Sequence, residues 1–168
     1  ALTRIYELKA LTSQINPHFL YNTLETIIWM AEFQDHKKVV EITKALSNYF
    51  RLSLNAGNEL VTLQQEIEHV RQYLFIQKER YGDKLNYRID FSEEIPQIMI
   101  PKIVIQPLVE NAIYHGIKEI DRPGQIDITL LKIDEWIEIC IADNGVGMSG
   151  EATSSKQLGG IGIKNVTE

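Results

Sequence analysis

The sequence predicts an α+β protein, a helical region followed by a mixed domain of helix and sheet. Three observations lead there. Apolar residues recur at spacings of three and four through the first part of the chain, the mark of helices buried on one side. After Gly82-Asp83 the period drops to two, with Leu85, Tyr87, Ile89 and Phe91 alternating with Asn86, Arg88 and Asp90. Beyond that strand, one more helical stretch lies among further strand-like segments.

The first elements are helical. Leu2, Ile5, Leu8, Leu11 and Ile15 begin an apolar stripe. Phe19, Leu20, Leu24, Ile27, Ile28 and Ala31 continue it, and Pro17 interrupts it. Proline inside a helix removes a backbone hydrogen bond and costs about 3 kcal/mol. Either one long helix kinks there, or a second helix begins with Asn16 as N-cap and Pro17 in its first turn. The unbroken stripe favours the kink. Val39, Ile42, Leu46, Tyr49, Phe50 and Leu54 mark a second helix over 36–54, closed by Asn55-Ala56-Gly57-Asn58. Thr62 and Gln65 fit a capping box that starts a third, whose stripe is Leu63, Ile67, Val70, Leu74 and Tyr81.

Pro96 and Pro101 bracket a loop, and a helix then reaches Ile117. Its expected core side is Leu108, Val109, Ala112 and Ile113, opposite Glu110, Asn111, Tyr114, His115 and Lys118. Residues 125–133 and 136–142 read as a β-hairpin, and 149–158 as a mobile loop. The expected divisions are 1–60 for the first helices, 61–82 for a connecting helix and 83–168 for the α+β part. Two helices with one apolar stripe each make a thin core, so a second copy is expected to complete a four-helix bundle as a homodimer.

Composition narrows the function. The net charge of −6 is diffuse, which argues against nucleic acid as a partner. The single cysteine, Cys140, excludes an internal disulfide, and its apolar surroundings predict a core position. Cysteine-rich zinc spacing and membrane-length apolar runs are both absent. The chain begins without Met in a helical pattern and stops without a closing turn, so both ends are expected to be cuts through something longer.

Three motifs carry chemistry. Glu110-Asn111-Ala112 with His115 lies on a helix, Asp143-Asn144-Gly145-Val146-Gly147-Met148 follows a strand, and Gly159-Gly160-Ile161-Gly162 comes near the end. The run from Gly145 to Gly150 matches G-x-G-x-x-G in letters, but no helix-forming sequence follows it, which excludes a dinucleotide fingerprint. Together the motifs suit a nucleotide. A carboxylate at a strand end can accept from an exocyclic amine. Glycines beside it admit a flat base, and an amide oxygen can help hold Mg²⁺.

This set resembles the N, G1 and G2 boxes of the GHKL ATPase superfamily, which includes histidine kinases, gyrase and MutL. The resemblance implies a GHKL (Bergerat-type) α/β-sandwich ATP-binding domain, here C-terminally incomplete. It also implies ATP and Mg²⁺ as cofactors. Asn111 would reach the metal, Asp143 would read adenine with Gly145 and Gly147 beside it, and Gly160 and Gly162 would border the phosphates under a lid at about 149–158. His115 and Lys118 are candidates for the phosphates.

The run from Gln14 to Leu24, Gln-Ile-Asn-Pro-His-Phe-Leu-Tyr-Asn-Thr-Leu, resembles the signature of LytS/YesM-like sensor histidine kinases. The resemblance covers essentially the whole chain. It implies that His18 accepts the γ-phosphoryl group of ATP and hands it to an aspartate on a response regulator receiver domain. It also implies a cytoplasmic location within a membrane-anchored bacterial sensor. Independently, Gln14, His18, Asn22 and Glu25 fall on one helix face, and a neutral imidazole is a competent nucleophile. Two departures stand out. Many histidine kinases carry an acid directly after the histidine, where this chain has Phe19, leaving Glu25 and Asn22 as candidates for the proton-handling role. Related N-boxes often carry a Lys where this chain has Tyr114, and Lys118 is the nearest substitute. Two other classes fit the same motifs. One is a switch ATPase in which Glu110 activates water, and the other is a catalytically silent docking dimer.

Overall fold

A computed structural model describes residues 16–54, 57–91, 97–118, 120–134 and 136–147. The stripe expected before residue 16, the loop at 149–158, Gln14, Gly160 and Gly162 lie outside the described residues.

Helix α1 (Pro17–Glu32) starts at the proline. Asn16 is extended, with φ −70° and ψ 105°, and its Oδ1 accepts from the Phe19 amide at 3.3 Å. This corrects the expected kink. Steric clash with the proline ring drives the preceding residue out of the helical region, and asparagine is well suited to cap the start that results. Helix α2 (His36–Leu54) packs back along α1. Strand β1 (Leu60–Thr62) leads directly into helix α3 (Leu63–Tyr81). The expected capping box closes the start of α3: the Gln65 amide donates to Thr62 Oγ1 at 3.2 Å, and the Thr62 amide to Gln65 Oε1 at 2.9 Å.

Strand β2 (Leu85–Phe91) comes next, then a short strand β3 (Met99–Pro101). Helix α4 (Gln106–Asn111) continues as one wide π-helical turn over Ala112–Ile117. Strands β4 (Gly124–Ile133) and β5 (Trp136–Asp143) form the expected hairpin. In the larger sheet β4 is central, parallel to β2 and antiparallel to β5. The register pairs Leu85 with Gly124 and Ile126 with Asp143, so the start of β2, the start of β4 and the end of β5 share one edge. Strands β1 and β3 form a separate antiparallel pair that alternation alone did not reveal, since each is three residues long.

One apolar core runs through both parts of the chain. Phe19, Ile42 and Tyr49 of the first helices pack in the same cluster as Tyr73, Val109, Ile113, Ile126 and Ile128. Two expectations need correction. Cys140 is exposed, because in β5 it shares a face with Trp136 and Glu138, while Ile137, Ile139 and Ile141 turn to the core. Around α4, Leu108 is 37% exposed and Tyr114 is half-buried, the reverse of the straight-helix reading. A π turn adds a residue per turn, which re-aims the side chains within it, Tyr114 among them; Leu108 lies ahead of that turn, and nothing in the turn explains its exposure. No helix among the described residues is long and apolar enough to cross a membrane.

The start of α4 is held by a buried carboxylate. Glu66 on α3 is 2% exposed. Its Oε2 accepts from the Ile103 amide at 2.9 Å, and its Oε1 from Val104 at 2.8 Å and Ile105 at 2.9 Å. Ile103 itself sits at φ 61°, a conformation that costs a β-branched residue about 1–3 kcal/mol. Glu66→Ala leaves three amides without their acceptor and is expected to lower unfolding free energy by about 3 kcal/mol, read by urea titration. An unchanged midpoint would show that the turn holds itself.

Candidate nucleotide and phosphoacceptor site

The glycine turn after β5 is built against the α4 π turn with no room between them. A Cβ on Gly145 would lie 2.4 Å from the Gly116 backbone, and one on Gly116 would lie 2.7 Å from Asp143 Oδ1. The Val146 amide donates to the Gly116 carbonyl at 3.1 Å. At the end of the π turn, Ile117 fills the space a side chain at Gly124 would need. Glycine at these places lets the helix close on the sheet edge, so helix and turn form one surface.

Asp143 sits on that surface, exposed, with Oδ1 accepting from the Gly145 amide at 2.9 Å. Its Oδ2 has no hydrogen-bond partner among the described residues. Asn144 secures the turn. Its Oδ1 accepts from the Gln125 amide at 2.7 Å, its Nδ2 donates to the Pro123 carbonyl at 3.2 Å, and its carbonyl accepts from Arg122 Nη2 at 2.6 Å. Motif reading missed Asn144 and Arg122. An asparagine just ahead of a glycine turn, with Gly147 at positive φ, was the available signal for the first, but nothing local marks Arg122.

Of the other expected residues, Asn111 and His115 are exposed on α4 and its π turn. Lys118 lies elsewhere: with Lys84, Arg122, Leu85, Ile113 and Ile117 it lines a cleft of about 210 Å³ that includes none of Asn111, His115 or Asp143. Gly147 is exposed at φ 73°.

His18 is exposed in the first turn of α1. The Asn22 amide nitrogen lies 3.1 Å from its Nδ1 and 3.2 Å from its Nε2, so the i+4 pairing on one helix face is real. Glu25 is exposed and has no hydrogen bond or ion pair among the described residues. On its other side the His18 ring meets Tyr114, with centroids 6.4 Å apart and planes at 50°. His18 and the helical stretch that carries Asn111 and Tyr114, far apart in sequence, are therefore neighbours.

A polar seam lies beneath. Gln106 Nε2 donates to Tyr49 Oη at 2.7 Å and to Glu110 Oε1 at 2.6 Å. Tyr49 stacks on His69 at 4.5 Å, and Ser53 Oγ lies 2.7 Å from His69 Nε2. Burial pushes the Tyr49 hydroxyl up to about 12, and burial also pushes His69 down to about 4. The Tyr114 hydroxyl is raised as well, chiefly by burial. Gln77 approaches the Tyr73 and Tyr114 hydroxyls, but none of these three groups completes a hydrogen bond. Sequence reasoning assigned His69 nothing, because its role depends on Ser53 and Tyr49 from another helix.

Residues 6–85 match the family described as histidine kinase. The chain is 40% identical over 162 residues to the sensor histidine kinase YesM of Bacillus subtilis (strain 168), covering 96% of this chain and 28% of that protein. It is 37% identical over 153 residues to the sensor histidine kinase BtsS of Escherichia coli (strain K12), covering 91% and 27%. It is 36% identical over 164 residues to the sensor protein LytS of Staphylococcus epidermidis (strain RP62A), covering 96% and 26%. The chain thus spans about a quarter of the length of these relatives.

The depressed His69 predicts an acid-sensitive seam. A folded-state pKa below the unfolded value of about 6.5 means that protonation favours the unfolded chain. The full stability holds above about pH 6.5 and falls as pH drops toward 4, by about 3 kcal/mol in total. His69→Phe is expected to flatten that part of the stability profile, read by thermal melts between pH 4 and 7. An equal slope in the variant would place the acid sensitivity elsewhere.

Proposed function

We propose that the chain, whose residues 6–85 match the family described as histidine kinase, is the kinase core of a two-component sensor, which phosphorylates its own His18 from ATP. The observation that carries this is the exposed His18 beside Tyr114, three residues along the helix from Asn111.

The nucleotide surface suits ATP. Asp143 Oδ2 is free to accept from the adenine amine, and the bare Gly116–Gly145 surface lets the base lie against backbone. Asn111 would hold Mg²⁺ through its amide oxygen, and the metal would neutralise phosphate charge. His115 would meet the phosphates, with Gly160 and Gly162 completing their border. The fold would be the α/β sandwich of GHKL ATPases.

The chain's own part is presentation. A helix holds His18 with its ring open to solvent on one edge. Asn22 lies against the two ring nitrogens; its N–H can donate only to the one without a proton, so Asn22 must turn away to free that lone pair for attack. A ring nitrogen's lone pair forms the N–P bond as the bond from γ-phosphorus to the bridging oxygen breaks. ADP takes that electron pair, and the proton on the other ring nitrogen leaves to solvent. The phosphoryl group then passes to an aspartate of a receiver domain. ATP and receiver domains are both found inside the cell, so this part of a membrane-anchored sensor would face the cytoplasm.

The dimer reading has its own support. Tyr21, Leu24, Ile28 and Trp29 on α1, with Phe33 at its C-cap, are 43–72% exposed. Their spacing is one helical stripe, and a second copy would bury it in a four-helix bundle. The switch-ATPase reading is less favoured, because Glu110 is engaged by Gln106 within the seam.

Intact protein given Mg-ATP is expected to gain one acid-labile phosphoryl group by mass, and His18→Gln to gain none. ATP turnover without a phosphoprotein would replace the kinase with the switch ATPase.

A further inference from the structure

His18 and Phe19 are adjacent in sequence, and the rest of the same chain holds both. Phe19 is 2% exposed, its ring 4.8 Å from Tyr49 on α2 and 5.1 Å from Tyr73 on α3. Thr23, one turn on, is 1% exposed. Burying a phenylalanine ring is strongly favourable, so the first turn of α1 is seated in its own core. His18, on the outer side of that turn, then faces Tyr114 of its own π turn. The connection between the two parts is short. Helix α2 ends at Leu54, and β1 at Leu60–Thr62 is already paired with β3 across Val61 and Ile100.

Resting on the kinase reading, we infer that phosphoryl transfer to His18 runs within one protomer, with Tyr114 as the positioning residue that seats the imidazole beside the Asn111 helix. In-line transfer needs the acceptor nitrogen placed against the γ-phosphorus, and a misplacement of about 1 Å can lower the rate about 100-fold. The chain places that acceptor next to the helix that would carry the metal amide. A partner's histidine could take the same place only after this one left it. The Tyr114 hydroxyl is buried and has no hydrogen-bond partner among the described residues. The contact with His18 is ring against ring, with centroids 6.4 Å apart.

The test is a mixed dimer of intact protein, one subunit unaltered and the other Asn111→Ala, isolated through two different tags and given Mg-ATP. Phosphate on the unaltered subunit is expected. Phosphate on the Asn111→Ala subunit would overturn the inference in favour of transfer between protomers. No phosphate even on the unaltered homodimer would overturn the kinase reading, and this inference with it. For Tyr114, Tyr114→Phe is expected to phosphorylate at the original rate. Tyr114→Leu is expected to lose about 10–100-fold in kcat with the KM for ATP unchanged, and to lose the ring-current shift on the His18 proton signals. A Tyr114→Leu loss confined to KM would assign the residue to nucleotide binding instead, and an unchanged rate would remove its role.

Discussion

The buried carboxylate of Glu66 is the constraint on which the site depends. An unpaired charge inside a protein is very unfavourable, and one met by several backbone amides is tolerated. Here three consecutive amides meet it, from Ile103 to Ile105. They belong to the turn that launches α4, so a residue on α3 sets where the Asn111 helix begins. The same grip holds Ile103 in the left-handed region. Without Glu66, the three amides of the turn lose their acceptor and the helix loses the anchor at its start.

From that start, the helix is fixed at its other end by the absence of side chains. Gly116 and Gly145 meet backbone to backbone, and Ile117 occupies the volume beside Gly124. The π turn between the two anchors carries Tyr114, whose ring meets His18. Wide turns of this kind recur at functional sites because they re-aim side chains within a hydrogen-bonded helix. Gly116 and Asp143 thereby come to share a surface, although they approach it from a helix and a strand.

The seam under that surface joins both parts of the chain through side chains alone. Tyr49 stands at its centre, touching Phe19, His69, Tyr73 and Gln106. Aromatic rings stacked with hydrogen-bonded polar groups resist small displacements, because moving one group breaks several contacts at once. A displacement of α1 against α2 would therefore disturb the Tyr49 contacts, Gln106 among them.

Much of the fold was legible in the residues. The capping box at Thr62 and Gln65, the alternation from Leu85 and the hairpin around residue 134 depend on neighbours in sequence, and all three formed as local chemistry dictates. The pairing of His18 with Asn22 is likewise a matter of helical spacing. Local reading failed where competing effects were local too: the stripe across Pro17 suggested a kink, but proline acts on the residue before it and Asn16 opened a new helix. It failed again at Cys140, where the apolar surroundings outweighed a simple alternation. The sequence by itself determined the elements, their caps and the chemical identity of the site residues, because these depend on interactions over a few residues. Only the tertiary structure decided that Glu66 grips the turn at Ile103, that Gly116 meets Gly145 and that His18 faces Tyr114. Those contacts join residues 29 to 96 positions apart, and long-range packing brings them together.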